Sequence, residues 1–273
     1  MQKDTGAFET PDWTQDEPYV YTERFNGPQW AWEYLRRNAE FRADWKHDQL
    51  EFGLSGYDPP TTMVVSLADA PRLSRWGCLY ATAPDQDAVT ASVFWNPQLC
   101  SSVLQLTAQP SSSRIDATPF VLGDIPCPSV LLELPNGPQH LLFHDESRRL
   151  QLVVDGADVT KPVRLMTDGA PDKEVAGAQL RSLHCFNDLR LSGRLYDSHF
   201  RRTPMPQRLR LLLRVLDGER TGASQEEIAQ KIFADDYAAG QWHAPGQPLR
   251  DRVRRALYRG HAMTRGGYRE LLS

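Results

Sequence analysis

Residues Ser129–Met166 read SVLLELPNGPQHLLFHDESRRLQLVVDGADVTKPVRLM. Four apolar runs stand out in this stretch: Ser129–Leu134, His140–His144, Leu150–Val154 and Val163–Met166. Asn136-Gly137-Pro138, Asp145–Arg148 and Asp155-Gly156 separate them. Short apolar runs between Gly, Pro, Asn and Asp marks read as strands joined by hairpins, so a small antiparallel meander is expected here. Side chains alternate along a strand, which places Leu150, Leu152 and Val154 on one face and Gln151 and Val153 on the other.

The period changes on the C-terminal side of the sheet. Ala176–Leu191 reads as an amphipathic helix, and Pro206–Leu216 as a second with Leu209, Leu212, Leu213 and Leu216 inward and Asp217-Gly218 as its stop. Ser224 and Glu227 have capping-box spacing for a third helix, whose inner face is Ile228, Ala229, Ile232 and Phe233. A polar connection, Asp235–Gln247, leads to Pro248, which opens a fourth helix running to about Ala262 and stopping before Gly266-Gly267. A leucine-rich helix, a tight glycine turn and a short helix with small Ala229 at its middle form a helix-turn-helix entry. The connection to the last helix exceeds the usual three or four residues, so the unit is a variant with an insertion.

On the N-terminal side, residues 1–26 read as an irregular lead-in. Asn26-Gly27-Pro28 is a helix start, and Gln29–Lys46 has helical spacing with Ala31, Leu35, Asn38, Phe41 and Trp45 near one stripe. Its tryptophans need to cover either the chain's own body or a partner. Arg75–Leu79, Ala91–Trp95 and Ser101–Leu106 read as short strands, and Gln109–Pro119 as a Ser/Pro linker. The fold class is therefore α+β: an N-terminal helical module (1–66), a connecting region (67–128), and a small sheet with a helix-turn-helix variant bundle (129–273).

Charge points to function. The 273-residue chain has a net charge of −4, but Arg181–Ser273 holds 17 Lys/Arg against 10 Asp/Glu, a net of +7. Residues 1–180 hold 14 against 25, a net of −11. Seven arginines fall between Arg250 and Arg269. A basic module on an acidic body fits a polyanion partner, and nucleic acid fits best. On the fourth helix Leu249, Val253, Ala256, Leu257 and Gly260 share one side. Arg255, Arg259 and Arg252 lie ~200°, ~240° and ~260° round from Val253, with Arg250 and Arg254 flanking the opposite side. Guanidiniums give bidentate donors to phosphate oxygens or to the O6/N7 edge of guanine. The expected DNA-binding residues are Ser224, Gln225, Arg250, Arg252, Arg254, Arg255, Arg259 and Arg265. Such an arginine face also arises simply as a solvated helix surface; the order of the helices favours DNA.

Catalysis has little support. His140, His144 and Asp145 lack further metal ligands at suitable spacing, and His184-Cys185 are neighbours that point in different directions. No GxSxG, phosphate loop or dinucleotide fingerprint occurs, so no enzyme activity and no cofactor are expected. The run of about 18 apolar residues needed to span a bilayer is absent. The first residues do not pattern as a secretory signal, and Cys78, Cys100, Cys127 and Cys185 show no CxxC. That combination fits a cytoplasmic protein with reduced thiols.

Two stretches resemble known families. Trp30–Asn38 (WAWEYLRRN), with Phe41 and Trp45, resembles a proteobacterial transcriptional regulator-like domain. Arg148–Leu152, Leu216-Asp217-Gly218, Gly222–Ala229 (GASQEEIA), Pro248–Arg255 (PLRDRVRR) and Gly266–Leu272 together resemble the DUF2285 family. The resemblance implies a two-domain transcriptional activator of excision and transfer genes on an integrative and conjugative element. RNA polymerase and a DUF2285-type antiactivator are its implied partners besides promoter DNA, with Trp30, Trp32, Tyr34, Arg36 and Arg37 as the expected partner-binding residues. The alternative is a protein–protein regulator that keeps the same fold as an interaction surface.

Overall fold

The computed structural model describes residues 10–49, 52–55, 60–66, 71–111, 119–135, 137–167, 173–237, 242 and 246–273. The chain is α+β and divides into two compact units. One comprises Met1–Asn38 with Arg202–Leu271, the other Ala39–Arg201 with Leu272–Ser273. The units cut across the three consecutive segments read from the sequence, because the N-terminal part up to Asn38 groups with Arg202–Leu271.

The larger unit is built on a mixed sheet. Among the described residues its strands are β1 (Phe52–Ser55), β2 (Thr61–Ser66), β3 (Leu104–Pro110), β4 (Ser129–Glu133), β5 (Gln139–Asp145), β6 (Arg148–Gly156) and β7 (Val163–Met166). They lie in the order β1-β2-β4-β5-β6-β3-β7. The β4-β5-β6 core is antiparallel as expected, with Leu131 opposite Leu141 and Leu141 opposite Leu152. The simple meander ends there. β3 inserts between β6 and β7, parallel to the first and antiparallel to the second, and β2 adds parallel to β4. Local alternation identifies strands, but long-range pairing sets their order.

Both faces of the sheet are covered. Leu131, Leu141, Phe143, Leu150, Leu152 and Val154 form one core with Cys185, Phe186 and Leu189 of α4 (Ala176–Ser192). Val64, Phe94, Val130, Leu132 and Leu142 form the other. The expected strands at Arg75–Leu79 and Ala91–Trp95 reduce to one bridge between Cys78 and Trp95. Of the expected linker, Gln109 and Pro110 lie in β3, paired with β7, whereas 112–118 lie outside the described residues.

The smaller unit is helical: α1 (Gly27–Leu35), α5 (Pro206–Arg220), α6 (Gln225–Ile232) and α7 (Pro248–Thr264). Within the described part of the lead-in, Glu17–Arg24 is not irregular but forms a 3-10 helix with Tyr19 fully buried. Asn26 caps α1 reciprocally with Gln29. The single helix expected over Gln29–Lys46 is two. The break falls at Arg36-Arg37-Asn38, and α2 (Ala39–Asp48) starts anew in the larger unit. The Asn38 side-chain amide donates to the Thr264 carbonyl (2.8 Å) and Arg37 reaches Asp217, which ties the break into the helical unit. Helix α3 (Pro71–Ser74) is one short turn.

Asp217-Gly218 does not end α5. Asp217 is fully buried and neutralised. Arg37 donates Nε and Nη2 to its two oxygens (2.9 and 2.8 Å), and the Tyr19 hydroxyl adds a third bond at 2.8 Å. Arg37 also donates to Glu33 at 2.6 Å, and Glu33 accepts from Arg36 and Tyr21. The two carboxylates hold the Arg37 pKa well above its ordinary value against the opposing effect of burial.

Candidate nucleic-acid interface

Helix α7 is fixed by its apolar side. Leu249, Val253, Ala256, Leu257, Gly260 and Thr264 are buried, the stripe read from the 3.6 period. Gly260 meets Leu216 of α5 so closely that a Cβ there would fall 2.7 Å from Leu216 Cγ. Gln247 caps the helix start, where Pro248 takes the first position. A helix held this way presents its polar side chains from a rigid base.

The arginines leave α7 on two flanks. Arg252, Arg255 and Arg259 lie on the flank beside α5, and Arg250, Arg254 and Arg265 on the other. All are exposed except half-buried Arg250. Tyr258, 77% exposed, stands near the outermost line of the helix. The expected outward row is corrected at one point. Arg252 donates to Asp236 at 2.5 Å and stacks 4.5 Å from the Phe233 ring centroid, so it also clamps the end of α6 to α7. Arg254 lies 3.8 Å from exposed Asp251, a distance and setting that contribute little. Among the described residues Arg250, Arg255, Arg259 and Arg265 have no carboxylate partner.

Between α5 and α7 runs an open groove of about 500 Å³. Its floor is Leu211, Leu212, Phe233 and Ala256, and its rim is Gln207, Arg208, Arg252, Arg255 and Arg259. Arg208, on α5, did not stand out in the sequence. It lies in the leucine-rich run, one residue before Leu209 of the inward stripe, and only the packing of α5 on α7 brings it opposite Arg255 and Arg259.

At the start of α6 the Ser224 hydroxyl accepts from the Glu227 amide (3.2 Å), and Glu227 accepts from the Ser224 amide (2.7 Å). This capping box holds the Glu227 pKa below the ordinary carboxylate range, first through the Ser224 backbone N–H. Gln225 is exposed beside them. The residues of the insertion at 238–241 and 243–245 lie outside the described residues, and Trp242 between them is buried.

Trp30, Trp32, Tyr34, Arg36 and Arg37 do not form an exposed surface. Trp30 and Tyr34 are fully buried, Trp32 is 1% exposed, and both arginines are buried on Glu33 or Asp217. Phe25 packs edge-on against Trp30, and the Tyr34 hydroxyl donates to the Leu209 carbonyl (2.8 Å). The aromatic surface covers the chain's own C-terminal helices, which a local reading of the N-terminal helix had no means to show.

Among the described residues no group of three or more His, Cys, Asp or Glu side chains is placed to hold a metal ion. His140 is buried, which pushes its ring pKa down to about 4, and His144 moves the same way. Burial also pushes the Cys127 thiol up to about 11 and Cys185 to about 12, so both are protonated core residues. No described helix is long and apolar enough to cross a membrane.

Comparison with protein families adds to this geometry. Residues 12–78 match the proteobacterial transcriptional regulator-like domain. Residues 167–273, which contain α4 to α7, match a family described as a type VI secretion system transcription factor, DNA-binding domain. The chain carries the domains of a transcription factor. Both families are described as regulatory types rather than as enzymes, and the description of the second supports DNA as a partner. No curated protein matches the chain.

Proposed function

We propose that this chain is a transcriptional activator that holds promoter DNA on the two basic flanks of α7. One observation carries the reading: exposed Arg255, Arg259 and Arg265 project from a helix locked to the core, with no described carboxylate to neutralise them. Arg250, Arg254 and Arg252 join them, Arg252 after exchanging Asp236 for phosphate. These contacts set affinity and register; sequence is read by side chains nearest the base edges, a role for exposed Tyr258 on the outermost line of α7. Gln225 supplies a neutral donor to the backbone, and Ser224 serves by capping α6. Glu226 and Glu227 in the same turn disfavour a deeper approach there. Enrichment of a random duplex pool on the full chain tests this. A recovered consensus that raises reporter output when placed upstream supports it; no retention of any duplex at low salt overturns it.

The gene set is a finer matter. The resemblance of Gly222–Ala229 and Pro248–Arg255 to the DUF2285 family supports excision and transfer genes of an integrative and conjugative element. The description of the family matching residues 167–273 favours a second set, a type VI secretion cluster. Chromatin immunoprecipitation in the native host separates them by which promoters are occupied. An activator also meets RNA polymerase, and an antiactivator is a further partner. With Trp30, Trp32 and Tyr34 inside the core, those contacts fall to other surfaces. The purely protein-binding reading loses the exposed aromatics that motivated it.

A further inference from the structure

The groove between α5 and α7 extends the interface beyond α7. Arg208 stands exposed on its α5 wall, facing the flank of Arg252, Arg255 and Arg259. Among the described residues Arg208, Arg255 and Arg259 have no carboxylate partner, so the groove concentrates positive charge that the protein leaves uncompensated. On its rim Arg252 is bonded to Asp236. Elsewhere on α5 the arginines are engaged: Arg210 and Arg214 both bind Asp16, at 2.6 and 3.3 Å. Arg208 is set apart from them.

The shape of the groove selects the ligand. Arg252 to Arg259 spans ~10 Å of helix axis, a row suited to successive phosphates along a strand rather than to one small anion. The apolar floor of Leu211, Leu212, Phe233 and Ala256 lowers the local dielectric beneath them, which strengthens a guanidinium–phosphate contact. No side chain caps the start of α5, two residues from Arg208, and its partial positive charge acts in the same sense.

We infer that one strand of the bound duplex runs along this groove, its phosphates gripped between Arg208 of α5 and Arg255 and Arg259 of α7. This rests on the DNA-binding reading of α7. It makes α5 a second DNA-contacting helix and Arg208 a sequence-independent phosphate contact.

The test is binding of the full chain to a random-sequence duplex, by fluorescence anisotropy across a salt series, for Arg208→Gln, Arg208→Lys and Arg255→Gln/Arg259→Gln. A thermal melt confirms that each variant is folded. Loss of one phosphate contact lowers the slope of log K against log[salt] by about 0.9. Arg208→Gln should therefore lower it by about one and weaken binding several-fold, equally on specific and random duplexes. Arg208→Lys should keep most of the slope. A wild-type slope for Arg208→Gln, while the α7 pair lowers it, overturns the groove and leaves α7 standing. Wild-type slopes for all three variants overturn both.

Discussion

Arg37 shows how one residue decides where a segment packs. Its guanidinium sits between Glu33 and Asp217, both side chains fully buried. Removing one member of a buried pair leaves a charge without its counterion, at about 3–5 kcal/mol. Arg37→Ala and Asp217→Ala should each destabilise the helical unit by that order in urea unfolding. Arg37→Met with Asp217→Leu should cost less than either alone, since it buries no unpaired charge. Equal and additive losses would contradict this role. His140 acts in the other unit. Its folded pKa, near 4, lies below the ordinary 6.5 of the unfolded chain, so the unfolded state binds the extra proton between those values. Stability is therefore full above pH 6.5 and declines as pH falls toward 4. The loss from pH 7 to pH 5 is about 2 kcal/mol, with His144 adding in the same direction. Hydrogen-exchange protection of β5 and β6 at the two pH values reads it, and His140→Gln should remove the larger part of the difference.

Among the elements, α7 depends on a side chain that is missing. Gly260 lets Leu216 lie against the helix backbone, and overpacking such a contact costs about 1–3 kcal/mol. Gly260→Val should lower the melting temperature and loosen the arginine flanks together. An unchanged melt would show that α5 and α7 part easily. Ser224→Ala should cost about 1 kcal/mol through the lost cap. These helices were legible in the sequence because their causes are local: the Ser224–Glu227 spacing, Pro206 and Pro248 at helix starts, and the Leu249–Val253–Leu257 stripe. β4, β5 and β6 were legible from alternation and turn residues for the same reason. The insertion of β3 beside β6 was not, since Leu104 pairs with Leu152, 48 residues further along the chain. Asp217 read as a helix stop because its partner, Arg37, is 180 residues away. The candidate site divides alike. The arginines of α7 follow from 3.6 periodicity, whereas the groove and Arg208 follow only from the docking of two helices.

Across the molecule, the division between an acidic body and a basic end is partly settled inside the helical unit. Asp16 takes Arg210 and Arg214, Glu23 lies 3.4 Å from Arg210, and Asp217 takes Arg37. Those contacts help to bring the segment from Asp16 to Arg37 onto α5, and they explain why it groups with Arg202–Leu271 in one unit. Arg208 and, on α7, Arg250, Arg255 and Arg259 are among the arginines without a described carboxylate partner. The central claim is that this remainder grips duplex DNA. Its most direct test is the salt dependence of binding by wild type and by Arg254→Ala/Arg255→Ala/Arg259→Ala on one promoter fragment. The account predicts a steep wild-type slope that falls by two to three in the variant, at about 0.9 per lost phosphate contact. A folded variant that binds with the wild-type affinity and slope would contradict it.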